Sequence, residues 1–380
     1  MTTMHTLTTP HETGTEMPAQ LLTPAGERVS DDRLDAWADG LDAAALRPVY
    51  RDMALTRRAD AEGVALQRQG HLGLWAPAQG QEAIQVASAR ACSLGDFLFP
   101  SYRELGILIV RGANAADLVL GWRGEVHATF DPHALRVASP QIIIGAQTLH
   151  AVGYAMGIQR DGGDEVSVAY FGDGATSQGD VNEAMVFASS FSAPVVFVCS
   201  NNQWAISEPV TVQSRFPIAG RAPGFGIPSL RVDGNDALAC TAAMRWALAR
   251  ARSGEGPAFI EAVTYRMGPH TTSDDPSRYR DAAEVEAWRA RDPLTRLEAY
   301  LRRAGQFDDA FAAEVAADGD RLAAAMRAAA ITAQSRPPIE VFDDVYAGQH
   351  SGIDRQRERF AAYLHGFADD NAAAGEGVAR

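Results

Sequence analysis

Between Glu165 and Asn202 the chain passes from an apolar run through a glycine-rich turn and an amphipathic stretch to a second apolar run. Few folds accommodate that succession. Glu165 to Phe171 is short, rich in β-branched and aromatic residues, and stops at Gly172, which predicts a strand. Asp180 and Glu183 have the spacing of a capping box. Val181, Ala184, Met185 and Ala188 then fall on one apolar face of a helix. Pro194 breaks the pattern, and Val195 to Cys199 predicts a second buried strand just before Asn201-Asn202. Strand, helix and strand in this compass make a βαβ unit, so the two strands run parallel.

That arrangement has a chemical consequence. Asp173 and Asn202 each follow the end of a strand, and parallel strands end at one edge of the sheet, where open α/β sheets bind ligands. A carboxylate and an amide oxygen suit a hard cation. Magnesium takes one or two protein ligands and completes its shell with phosphate oxygens and water. Gly172 and Gly174 let the backbone approach a bulky anion. The residues therefore point to a magnesium-bridged diphosphate site. A magnesium-nucleotide module without catalysis satisfies the same two anchors, and an isolated Gly-Asp-Gly is also a common turn.

The span from Gly172-Asp173-Gly174 to Asn201-Asn202 resembles the thiamine-diphosphate motif, which opens Gly-Asp-Gly and closes Asn-Asn. With its flanks, roughly Leu21 to Phe367, the chain resembles the alpha subunits of the 2-oxo acid dehydrogenases that open the multienzyme complexes. It is nearest to bacterial branched-chain members, with pyruvate dehydrogenase alpha subunits next. The resemblance implies an α/β thiamine-diphosphate-binding fold: a parallel sheet flanked by helices, with helical N- and C-terminal extensions. It also implies thiamine diphosphate and magnesium as cofactors. Asp173, Asn202 and the backbone carbonyl of Trp204 would be the metal ligands, Trp204 standing where the family commonly has tyrosine. Gly172, Gly174 and Ala175 would line the cofactor.

Three further segments carry the resemblance. Ser101 and Glu104 have capping-box spacing, which predicts Tyr102 and Arg103 in the first turn of a helix, where free N–H groups and the dipole favour anions. The family places such a Tyr-Arg pair on the diphosphate. In Ser139-Pro140-Gln141-Ile142-Ile143-Ile144-Gly145, the backbone around Ile142 and Ile144 would meet the aminopyrimidine ring, with the Ile144 side chain as a wedge. Plain packing is the alternative for Ile142. His270 follows the strand predicted over Ala258 to Tyr265 and matches the family's cofactor-facing loop. As a catalytic residue it would donate to phosphate or shuttle a proton near neutral pH. Ser200 stands where some relatives carry a charged residue, and Thr271 where animal relatives carry a regulated serine.

Composition sets the boundaries. A net charge of −14 argues against nucleic acid and requires any bound diphosphate to find locally arranged positive charge. All 34 basic residues are arginine, which excludes a lysine Schiff base and a phosphate-loop lysine. Cys92, Cys199 and Cys240 lack metal or redox spacing, and no run has the length of a membrane span, so a cytoplasmic chain is expected. Residues 1–28 read as a disordered arm without targeting features, 29–367 as the dehydrogenase domain and 368–380 as a tail. Asp292-Pro293 predicts a helix start, with Leu294, Leu297 and Leu301 on one face. No segment supplies the glutamate that activates the aminopyrimidine in this enzyme class. The resemblance therefore implies a beta subunit (two alpha and two beta chains), a lipoyl-bearing acyltransferase and a small 2-oxo acid as partners.

Overall fold

The computed structural model describes residues 17–124 and 130–375, the backbone alone beyond 367. Five strands form the main sheet, all paired in parallel: β1 (Phe97–Phe99), β2 (Ser167–Gly172), β3 (Val195–Asn201), β4 (Ser229–Asp233) and β5 (Ala258–Val263), in the order β1-β2-β3-β5-β4, and Trp204–Ala205 pairs antiparallel with Glu208–Pro209 in a small separate ribbon. The α/β class is as expected. β1, three residues long, carries too little pattern to be read from the sequence.

Every residue of β3 is buried, as a strand covered on both faces requires. Val196 and Val198 face a cluster built with helices α1 (Ala43–Arg68) and α2 (Glu82–Ala91). Val195, Phe197 and Cys199 face the opposite side, against α4 (Ala146–Asp161) and α5 (Gly179–Ser190). Between them in sequence lies the short α3 (Leu105–Val110). In α5 the buried residues are Val181, Ala184, Met185 and Ala188, the face read from the sequence. Its cap differs. The Gln178 side chain accepts from the Asp180 amide, and the Asp180/Glu183 box does not form, because the helix begins one residue before Asp180.

The expected boundaries shift at both ends. The described residues up to Ile331 form one compact unit and those from Thr332 a second, where a single domain over 29–367 was expected. The described part of the expected arm is held in place. Ala19 bridges Val232 in parallel, and Leu21 and Leu22 are fully buried. Their amides donate to one carboxylate oxygen of Asp236 at 2.7 and 2.6 Å. The other oxygen caps helix α6 (Ala237–Arg252) through the Ala239 amide at 3.0 Å. Apolar side chains and a waiting acceptor outweighed the polar composition of the arm. Asp292 caps α7 (Pro293–Arg303), which buries Leu297 and Leu301 as predicted. In the second unit a helix runs over Ser351–Gly375, through the first part of the expected tail, and Phe342 packs edge-on against Phe360 at 5.7 Å. Residues 1–16 and 376–380 of the expected arm and tail lie outside the described residues.

Candidate cofactor site

β2 and β3 pair with Gly172 opposite Ser200, so both strands end at the same edge and deliver Asp173 and Asn202 to it. A cleft of about 430 Å³ opens there. Its walls include every residue the sequence singles out: Tyr102 and Arg103, Ile142 and Ile144, Gly172 to Ala175, Asn202, Trp204 and His270.

Asp173 is 1% exposed, and its Oδ2 accepts from the Gln213 amide at 3.0 Å. Burial pushes its carboxyl up to about 6, only partly offset by Gln213 and nearby backbone amides. It is a carboxylate short of positive charge. Asn202 is oriented from two sides: its Oδ1 accepts from the Trp204 amide and its Nδ2 donates to Gln81 Oε1, both at 3.2 Å. Trp204 is itself buried, and its carbonyl accepts from Arg266 at 3.0 Å, which leaves that oxygen a second lone pair. At Gly174 an added Cβ would stand 2.8 Å from the Ala205 Cβ, so only glycine lets the turn lie this close to the Trp204–Ala205 segment. No cluster of three His, Cys, Asp or Glu side chains exists among the described residues. A cation held here would take one carboxylate, amide or carbonyl oxygens, and the rest of its shell from a ligand. That donor set suits magnesium.

The anion side is built from arginines. Tyr102 and Arg103 precede α3 rather than opening it, because Ser101 Oγ donates to the Glu104 carboxylate at 2.6 Å instead of capping the backbone. Arg103 is 6% exposed and donates to the carbonyls of Pro77 and His270 at 2.7 and 2.9 Å. Arg266, fully buried, donates to the carbonyls of Trp204 and Ile206 and to the Tyr279 hydroxyl at 3.0 Å. These hydrogen bonds go to neutral oxygens, and the neighbouring carboxylates, Glu104 by Arg103 and Asp274 by Arg266, act on the two buried charges only through space. Burial and the Arg103 charge push Arg266 down to about 10. Both guanidinium groups also approach His270 Nδ1, at 3.1 and 3.4 Å. That nitrogen must then be an acceptor, and the ring proton sits on Nε2. Burial, then Arg103 and Arg266, push His270 down to about 4. Of the two expected roles, donation to phosphate is the one that a neutral ring with its proton on Nε2 supports directly. His270 is a neutral donor, and the charge belongs to the arginines.

Ile142 and Ile143 are 74% and 69% exposed and Ile144 42%, so the alternative of plain core packing fails for Ile142. Ser200 and Gln81 border the same cleft, and Ser200 Oγ and Gln81 Nε2 are buried without a partner among the described residues.

Residues 50–340 match the dehydrogenase E1 component family. The chain belongs to that family. It is 47% identical over 348 residues to the 3-methyl-2-oxobutanoate dehydrogenase subunit alpha of Mycobacterium tuberculosis, covering 91% of this chain and 94% of the relative. It is 39% identical over 327 residues to the pyruvate dehydrogenase E1 component subunit alpha of Acholeplasma laidlawii, with 84% and 94% covered. The corresponding subunit of Staphylococcus epidermidis is 41% identical over 292 residues, with 76% and 78% covered. Two residues of this E1 chain escape sequence reasoning. Arg266 carries the second buried charge; its signal was an arginine at a strand's end, four residues before His270. Gln81 borders the cleft from the turn before α2; Gly80-Gln81-Glu82-Ala83 opens a helix and resembles the family, which by itself marks no site residue.

Proposed function

We propose that this chain is the alpha subunit of a branched-chain 2-oxo acid dehydrogenase, working with a beta subunit as two alpha and two beta chains in the cytoplasm. It would hold thiamine diphosphate through magnesium, decarboxylate 3-methyl-2-oxobutanoate and its homologues, and pass the acyl group to the lipoyl arm of an acyltransferase. One observation carries the reading. Buried Asp173 and buried Arg103, whose donors go to neutral groups, line one strand-end cleft, and buried Arg266 reaches the Trp204 carbonyl on its border: a place for a cation beside a place for an anion.

In this reading Asp173, Asn202 and the Trp204 carbonyl hold the magnesium. Arg103 and the Nε2–H of His270 bind diphosphate oxygens, with Tyr102 beside them, and Gly172, Gly174 and Ala175 give it room. The orphaned Ser200 hydroxyl and Gln81 amide fit a polar guest. The exposed isoleucines suit the apolar flank of the cofactor, Ile144 as the wedge and Ile142 through its backbone. When bound, thiamine diphosphate supplies the electron sink for decarboxylation; the chain's own residues bind, orient and exclude water. Among the described residues the cleft's carboxylates are Asp173 and Glu104, and Glu104 is buried against Ser101, so the activating carboxylate falls to the beta subunit.

The higher identity to a branched-chain relative favours that substrate over pyruvate. A methylene or two in an apolar pocket is worth ~1–3 kcal/mol, so kcat/KM on the two acids decides between them. The chain with its beta subunit should prefer 3-methyl-2-oxobutanoate, and the chain alone should decarboxylate neither. A preference for pyruvate would overturn the substrate, and turnover by the isolated chain would overturn the shared site.

A further inference from the structure

The strap from Trp75 to Gln81 lies between α1 and α2 and is held with unusual rigour for a loop. Asp60, on α1, accepts from the Trp75 indole at 2.8 Å and from the amides of Ala78 and Gln79 at 3.0 and 3.1 Å. Glu82, at the start of α2, accepts from the Gly80 amide at 2.9 Å and pairs with Arg57. Thr264 donates to the Gly80 carbonyl at 2.8 Å. Gly80 sits at φ +98°, and a Cβ there would lie 3.0 Å from Met267 Cγ and closer still to the Tyr265 carbonyl oxygen. The next residue is Gln81, 1% exposed, on the wall of the cleft.

An asparagine can present either its oxygen or its nitrogen to a cation, and only the oxygen binds. The Trp204 amide donates to Asn202 Oδ1, which commits the other end, Nδ2, to find an acceptor. Gln81 Oε1 is that acceptor, at 3.2 Å. Were Gln81 turned about, two N–H groups would face each other. Its own Nε2 is thereby fixed on the far side, where it is buried without a partner. A buried donor left unmade is costly, so a ligand oxygen or an ordered water belongs there.

We infer that Gln81 is a positioning residue of the metal site: its side-chain oxygen locks the Asn202 amide with the oxygen toward the cation, and its nitrogen donates to the ligand's anionic end. The inference rests on the magnesium–diphosphate reading above. Partners of this kind around a metal ligand change affinity by about 10–100-fold.

The test uses the full chain reconstituted with its beta subunit and titrated calorimetrically with thiamine diphosphate over a series of magnesium concentrations. Wild type should bind in a magnesium-dependent way; if it does not, the underlying reading fails whatever Gln81 does. Gln81→Met removes both groups and should raise the magnesium concentration for half-maximal binding about tenfold or more. Gln81→Glu keeps the acceptor but places negative charge by the anion. It should leave the magnesium requirement no higher than in wild type while weakening thiamine diphosphate binding. A purely structural role would not separate the two readouts. Wild-type values of both in either folded variant would overturn the inference, as would an equal rise in magnesium requirement in both. If Gln81→Met fails to fold, the Gln81→Glu readouts decide.

Discussion

Gly63 lies inside α1, where alanine would ordinarily gain about 1 kcal/mol over glycine from helix propensity. Here the sign should reverse. A Cβ at position 63 would lie 2.5 Å from Cζ2 of Trp75 and nearer still to Cε2 and Cδ2. The ring has no easy retreat: it is 2% exposed, and its Nε1 donates to Asp60 at 2.8 Å. Its backbone is also tied to Thr272 in both directions, at 3.1 and 2.9 Å. Overpacking costs ~1–3 kcal/mol, and a strained hydrogen bond to a buried carboxylate forfeits a further ~1.5–3 kcal/mol. Set against the propensity gain, Gly63→Ala should lose about 1.5–5 kcal/mol. Urea unfolding of the cofactor-free chain measures this, as a lower midpoint at unchanged slope. In a Trp75→Leu background the same substitution should cost at least about 1 kcal/mol less, since contacting residues are not additive. A Gly63→Ala protein as stable as wild type, or strict additivity in the double variant, would refute the reasoning.

Other outcomes follow from the cleft. Asp173→Ala should abolish magnesium-dependent thiamine diphosphate binding while the fold survives; unchanged affinity in calorimetry would remove Asp173 from the metal site. Arg103→Ala should weaken cofactor binding by about 1.5–3 kcal/mol, the range for a hydrogen bond to a charged group, and wild-type affinity would place the diphosphate elsewhere. His270, held near 4 against an ordinary 6.5, gives the native state fewer bound protons than the unfolded state between those values. Its contribution to stability is complete above pH 6.5 and is lost as pH falls toward about 4. A ring titration followed by NMR in the cofactor-free chain should show this low midpoint, and one at or above 6.5 would mean that the arginines do not face Nδ1.

The metal half of the site was legible because it rests on local pattern. A strand of β-branched residues, glycines and a periodic helix fix where Asp173 and Asn202 emerge, and parallel pairing brings them together. The anion half was less so. Arg103 could be found from its neighbours, but its companion Arg266 gains meaning only from burial and from hydrogen bonds that avoid carboxylates. Gln81 acquires a role through one contact 121 positions away in sequence, with Asn202. Capping boxes misled twice: at Ser101/Glu104 the two side chains satisfy each other, and at Asp180/Glu183 the helix starts earlier. The protonation of His270 depends on two guanidinium groups, one of them 167 positions distant, and no local reading of its loop contains that.

The tie between Leu21 and Asp236 spans 215 positions, and it bears on how the protein is made. A ribosome adds ~5–20 residues per second, so roughly 10–40 s separate the synthesis of these two partners. Until β4 and the start of α6 emerge, Leu21 and Leu22 have neither their pocket nor their acceptor, and they wait as exposed hydrophobic residues on the nascent chain. In the meantime β3 is the open edge of the sheet, since its neighbour β5 is made later still, and an unpaired edge is the part of a sheet most prone to wrong pairing. Synthesis of this protein is therefore most vulnerable in the interval before β4 and α6 appear, and a chaperone that holds the segment around Leu21 and Leu22 would shield its exposed apolar side chains.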